Sequence, residues 1–187
     1  MTNEKKRNCV KYICYGVLTF VFWILQLKVL SGVRIFGEAP FIAVFLTTMI
    51  GGLEGSFPGA IAGYIIGMFA DAASAYTEGF YAVALLLTGF FSGVTTTYLL
   101  KKKYASLVII GSVAYLIMQF FFFFVYLFIT ERMEFSAIVS IPLGLVSTMI
   151  FTPPVFGAYW LIYRKFRIAE ENEESAAAAR VRNLKGR

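Results

Sequence analysis

The sequence predicts an all-α, polytopic integral membrane protein, a helical bundle of about six transmembrane helices. Three observations carry this prediction. Of 187 residues, 59% are hydrophobic, and the mean hydropathy is +0.73. Charged residues make up only 15%, against roughly 25% in an ordinary soluble domain. The charges are also segregated. From Phe41 to Leu100 they are limited to Glu54, Asp71 and Glu78, and none lies between Lys103 and Glu131. The apolar runs are continuous rather than alternating, which argues against a β-barrel.

Span 1 is expected over about Tyr12 to Leu30, with Gln26 and Lys28 near its far end, where Lys28 can snorkel to the interface. The apolar stretch is too long for a signal-peptide core, and no small-x-small cleavage site closes it. Ser31 to Pro40 contains Gly32, Gly37 and Pro40 and reads as a turn-rich connection. Span 2, about Phe41 to Leu53, is short: its helix covers about 20 Å of a hydrocarbon core about 30 Å thick. It borrows from Val33 to Phe36, lies deep in a thinned bilayer, or is re-entrant. Glu54 to Pro58 reads as a tight turn, with Pro58 suited to the first turn of the next helix.

Span 3 follows over about Gly59 to Ala75, and with span 2 makes a helical hairpin. Span 4, about Phe80 to Leu100, carries Gly89 and Gly93, then Thr95, Thr96 and Thr97, which can bond backbone carbonyls or neighbouring helices. Span 5, about Ala105 to Ile129, contains Gln119, a candidate for a bond across helices. It ends in the aromatic block Phe120 to Phe124, Tyr126 and Phe128, read as lipid contact and interfacial anchoring. Span 6, about Ser136 to Tyr163, contains Pro142, Pro153 and Pro154, and the proline pair should kink or break it.

The formal net charge of +6 is a topology signal rather than a sign of nucleic acid, because the basic residues flank apolar spans. Lys5, Lys6, Arg7 and Lys11 precede the first span, Lys101 to Lys103 separate spans 4 and 5, and Arg164, Lys165 and Arg167 follow the last. Six spans with both termini cytoplasmic put all three clusters inside. The outer side then keeps Lys28, Arg34 and Arg132, with Glu38, Glu78, Glu131 and Glu134. The chain divides into a cytoplasmic N-terminus (1–11), a transmembrane domain (12–163) and a tail (164–187). The tail has an acidic patch, an alanine run and a basic end, so it either extends span 6 into the cytoplasm or is disordered.

Histidine is absent, which removes the usual general base and the commonest metal ligand. Cys9 and Cys14, five apart, point to different sides of a helix and read as ordinary helix residues. No Walker loop, HExxH, GxSxG or pair of intramembrane carboxylates occurs. The expectation is a non-enzymatic protein with no catalytic residue, cofactor or metal.

The stretch that stands out is Gly51 to Asp71. Glycine recurs there every four residues, at Gly51, Gly55, Gly59, Gly63 and Gly67, and the next step of the series is Asp71. On a helix, Gly59 onward forms a ridge without side chains. Each glycine costs about 1 kcal/mol of helix stability relative to alanine, which close backbone approach must offset. Gly55, Gly59, Gly63, Gly67, Gly89 and Gly93 are therefore candidate packing residues, with Glu54 and Pro58 at the turn. Glu54 is expected to be solvated or near a helix N-terminus, where negative charge is favoured. Asp71, an ionisable group within a span, costs roughly 2.5–3.5 kcal/mol on insertion scales and is a functional candidate by default. It relays protons or ions, contacts a partner, or caps and hydrogen-bonds inside the bundle. Its place near the outer end of span 3 favours the structural role.

These residues carry a resemblance. The Glu54-Gly55 turn, the four-residue glycine steps, Gly67-Met68-Phe69-Ala70-Asp71, Glu78-Gly79-Phe80-Tyr81-Ala82 and the glycine-spaced helix that follows resemble the MreD family, rod-shape-determining membrane proteins of bacteria. Leu25-Gln26, Ala39-Pro40 and the proline-containing last span fit the same pattern, which covers about Leu25 to Phe166. The resemblance implies a non-enzymatic scaffold of the elongation machinery in the bacterial plasma membrane, acting beside MreC, MreB, RodA and its partner transpeptidase. The rival reading is a substrate-binding S-component of an energy-coupling-factor vitamin transporter, also small, six-span and glycine-rich. Few polar residues lie at the outer ends of these spans to read a vitamin.

Overall fold

The computed structural model describes residues 3–30, 32–34, 37, 39–74, 79–98, 103–130 and 135–185. Among these no strand occurs, and the elements are helical throughout. Helix α1 spans Asn3–Leu25 and continues into a π-helical segment, Gln26–Leu30. Then come α2 (Ala43–Glu54), α3 (Ser56–Ala73), α4 (Phe80–Tyr98) and α5 (Tyr104–Thr130). The chain closes with α6 (Phe135–Ile150) and α7 (Thr152–Lys185). The predicted positions of Glu38, Glu78, Lys101, Lys102, Glu131, Arg132 and Glu134 lie outside the described residues.

Among the described residues four helices (α1, α3, α4 and α5) are long and apolar enough to cross a membrane, and the pair α6–α7 adds a fifth if read as one bent span. The sixth apolar element is α2, short as its sequence predicts. Its length is matched by its position. Every residue from Ala43 to Leu53 is buried, so α2 is the centre of the bundle and the other helices are its walls. Phe45, Leu46, Met49 and Leu53 of α2 share the core with Ile66 of α3, Leu85 of α4, Leu107 and Tyr115 of α5, and Tyr159 of α7.

A helix end buried this deeply needs partners for its backbone groups, and two other helices supply them. The Gln26 side chain, at the start of the π segment, donates Nε2–H to the Pro40 carbonyl (2.6 Å) and accepts the Ile42 N–H (2.9 Å). The Phe41 N–H goes to Thr148 Oγ1 of α6 at 3.0 Å. Gln26, near the far end of the first span as its sequence position indicates, is a buried clamp on the entry to α2.

The last span breaks as predicted, with α6 and α7 meeting at 46°. The break falls at Phe151, just ahead of the proline pair. Pro153 and Pro154 occupy the first turn of α7, where their missing N–H groups leave no intrahelical bond unmade. Pro142 lies inside α6 without ending it. Beyond the apolar part, α7 runs on as helix to Lys185, so the tail extends the last span.

The aromatic block of α5 divides. Phe120, Phe121 and Phe124 are exposed toward the membrane, whereas Phe122 is half-buried against Phe80 and Tyr81 of α4, at ring distances of 5.9 and 6.4 Å. Gln119, expected to bond across helices, bonds within its own helix among the described residues. It donates to the Tyr115 hydroxyl one turn earlier in α5, at 3.2 Å.

Candidate functional site: a glycine-knit three-helix unit

The glycine ridge is filled from within the chain. A Cβ placed on Gly63 would overlap the Leu85 carbonyl of α4, and one on Gly67 would overlap the Ala82 backbone and the Tyr81 carbonyl oxygen. Gly51, Gly59 and Gly89, from three successive helices, meet at one crossing. A Cβ on Gly59 would stand 2.5 Å from the Gly89 carbonyl oxygen and would overlap Gly51 Cα. Gly93 receives the backbone of Gly55 and Ser56. All these separations lie below the 3.0 Å that real Cβ atoms essentially never show. No residue other than glycine fits without moving a backbone. Close approach here supplies the packing that offsets glycine's low helix propensity.

Gly55 is the exception among the predicted packing glycines. Nothing lies within 4 Å of the place its Cβ would take, and its φ of 112° and ψ of 177° fall in a region essentially reserved for glycine. Its own role is conformational: it is the single residue that reverses the chain between α2 and α3. Pro58 sits in the first turn of α3, as its sequence position predicts.

Asp71 ends the ridge by closing the hairpin. Its Oδ1 accepts the Tyr81 N–H at 3.0 Å and its Oδ2 accepts the Ala82 N–H at 2.8 Å. Both donors lie in the first turn of α4, where no intrahelical partner exists and the helix dipole favours an anion. The carboxylate thus caps α4 from the end of α3. Of its three candidate roles, the geometry shows the structural one.

Of the two settings expected for Glu54, the structure places it beside the N-terminus of α3 and not in water. Its carboxylate is a near-buried acceptor for the Tyr15 hydroxyl (2.8 Å) and pairs with the Lys11 ammonium (2.5 Å). The cause is the central position of α2, which carries its last residue under α1. A carboxylate removed from water requires such partners. The network continues along α1: Tyr15 stacks on Tyr159 at 5.6 Å, and Thr19 Oγ1 lies 2.7 Å from the Tyr159 hydroxyl. Lys11, Tyr15 and Thr19 follow one another at four-residue steps, a spacing that puts them on one face of α1. That spacing is the signal by which the sequence could have revealed the network.

Two further contacts of the unit have weaker signals. Ser92 of α4 donates to the Thr48 carbonyl of α2 at 2.8 Å, both groups being buried. Thr47 is fully buried, with its methyl packed toward Gly63 and Gly89 and its hydroxyl without a hydrogen-bond partner among the described residues. Thr96 and Thr97 bond the carbonyls of Ser92 and Gly93 within α4, at 2.9 and 2.8 Å. Among the described residues no three His, Cys, Asp or Glu side chains gather as metal ligands. Cys9 and Cys14 are free thiols.

Comparison of the chain with protein-family models, with curated proteins and with solved structures returned no match.

Proposed function

We propose that this protein is a non-enzymatic membrane subunit of the bacterial cell-elongation machinery, supporting rod shape and lateral-wall peptidoglycan synthesis in the manner the MreD resemblance implies. The observation that carries the reading is the use made of the segment from Glu54 to Gly93. Its glycines are filled by backbone, and both oxygens of Asp71 are engaged by α4. A segment built this way acts as a rigid brace, whose use is to hold partner-facing surfaces in fixed relation. MreC, MreB, RodA and the transpeptidase paired with RodA are the partners this reading requires, with the bilayer as solvent and no nucleic acid.

The transporter reading draws less support. An S-component uses a face of small residues to dock its coupling subunit, and here α4 of the same chain occupies the glycine face. Depleting the protein in its host separates the two. Rounded cells with loss of lateral-wall synthesis are the expected result, whereas normal rods that fail to take up a vitamin would overturn the scaffold reading.

A further inference from the structure

Helix α3 carries two faces. Gly59, Gly63 and Gly67 turn toward α2 and α4, whereas Phe57, Ile61, Tyr64 and Met68 follow one another at steps of four, three and four residues. That alternation is the spacing of a coiled-coil seam, in which large residues meet those of a second helix. On an α-helix the four directions fall within about 60° of one another. All four side chains are open to the membrane: Phe57 is 75% exposed, Ile61 47%, Tyr64 46% and Met68 52%.

Tyr64 shows that lipid alone does not suit this face. It lies midway along the 18 residues of α3, about 12 Å of helix from either end, too far for its ring to carry the hydroxyl to an interface. Tyr98 and Tyr104 are exposed as well, but as the last residue of α4 and the first of α5, where headgroups and water are at hand. The Tyr64 hydroxyl has no hydrogen-bond partner among the described residues, and acyl chains offer none.

A second copy of the chain supplies one at the right depth. Copies of one chain insert with the same orientation, so a twofold axis relating them lies along the membrane normal and sets their α3 helices parallel. Each seam residue then faces its own counterpart at the same level. A hydroxyl both donates and accepts, so two copies of Tyr64 satisfy each other, as two carboxylates or two ammonium groups would not. The area suffices too. At about 200 Å² for a whole large side chain, the exposed parts of the seam residues and of Ile65 beside them amount to about 500 Å² per copy. The pair then buries about 1,000 Å², the size a specific interface needs. We infer that α3 pairs with α3 of a second copy along Phe57, Ile61, Tyr64 and Met68, with the two Tyr64 hydroxyls hydrogen-bonded to each other. The pairing goes beyond the scaffold role and does not depend on it.

The test uses the full chain with Cys9 and Cys14 replaced by serine, reconstituted in phospholipid vesicles over a range of protein-to-lipid ratios and oxidised to form disulfides. Ile61→Cys and Met68→Cys should each cross-link to a second copy, whereas Val113→Cys, exposed on α5, should not. Adding Tyr64→Phe, which removes an oxygen that bonds nothing within the chain, should raise the ratio needed for half cross-linking about threefold, the usual worth of one hydrogen bond between membrane helices. A chain that stays monomeric at both seam cysteines would overturn the inference and give the face to a different protein. Cross-linking of Val113→Cys as efficient as that of the seam would overturn it as well, and so would a midpoint that Tyr64→Phe leaves unmoved.

Discussion

Asp71 and Ala82 are joined by a 2.8 Å hydrogen bond from the Ala82 N–H to Oδ2, and the Tyr81 N–H engages the other oxygen at 3.0 Å. One carboxylate near the end of α3 thereby completes the first turn of α4. In the same region Gly67 of α3 meets the Ala82 backbone without a side chain between them. Cap and close approach depend on each other, since the carboxylate reaches those N–H groups only because the helices touch.

Removing the cap should therefore destabilise the protein without any ligand present. Asp71→Ala is expected to cost about 0.5–2 kcal/mol, the range for losing a helix N-cap. Asp71→Asn keeps one acceptor and should lie between the two. Thermal unfolding in detergent, followed by circular dichroism, reads the order. Equal midpoints for all three proteins would remove the capping account.

The glycines should divide into two classes on substitution by alanine. Gly63→Ala and Gly89→Ala push a methyl into backbone and are expected to cost about 1–3 kcal/mol, as overpacking does. Gly157 of α7 has nothing within 4 Å of its Cβ position, so Gly157→Ala should gain about 0.5–1 kcal/mol from helix propensity. Opposite shifts in unfolding midpoint check this. A shift of the same sign at Gly63 and Gly157 would contradict it.

Gln26→Leu leaves the Pro40 carbonyl and the Ile42 N–H buried without partners. Each such group costs about 1–3 kcal/mol. Hydrogen exchange at Ile42, measured by mass spectrometry on the intact protein, should accelerate in this variant, with protection in the α3–α4 pair retained. Unchanged exchange at the entry to α2 would mean the clamp is dispensable.

Tyr15 and Glu54 should be energetically coupled. A double-mutant cycle of Tyr15→Phe and Glu54→Gln is expected to show an interaction of about 0.5–3 kcal/mol, the range for residues in one hydrogen-bonded network. Lys11→Met should destabilise the parent more than it does the Glu54→Gln variant, because the ammonium then has no charged partner to lose. Additive effects at all three positions would show that α1 docks through its aromatic contacts alone.

Much of the architecture was legible because a membrane allows few solutions. Continuous apolar runs, the short second span, a reversal within Glu54–Pro58 (narrowed to Gly55) and the break ahead of Pro153-Pro154 all correspond to observed elements. The small residues at four-residue steps mark a packing ridge. Two partners are not legible, for one reason. In linear order Glu54 and Gln26 each lie at the end of an apolar run, and only the burial of α2 makes the first a paired acceptor under α1 and the second a clamp on the helix entry.

On α1 the polar residues mark the inside. Tyr15 and Gln26 are buried while Val10, Ile13, Val17 and Phe20 face the membrane. Where the solvent is hydrocarbon, polar side chains gather in the bundle to find partners.

The sequence by itself determined the class of protein, the helices and the glycine ridge, since hydropathy and residue spacing act locally along the chain. Only the tertiary structure decided what fills the ridge. It also decided that Asp71 caps α4, that Gly55 is a turn residue rather than a packing one, and that α2 is the core. Those outcomes depend on which helices become neighbours, and spacing along one helix carries no information about the helix opposite.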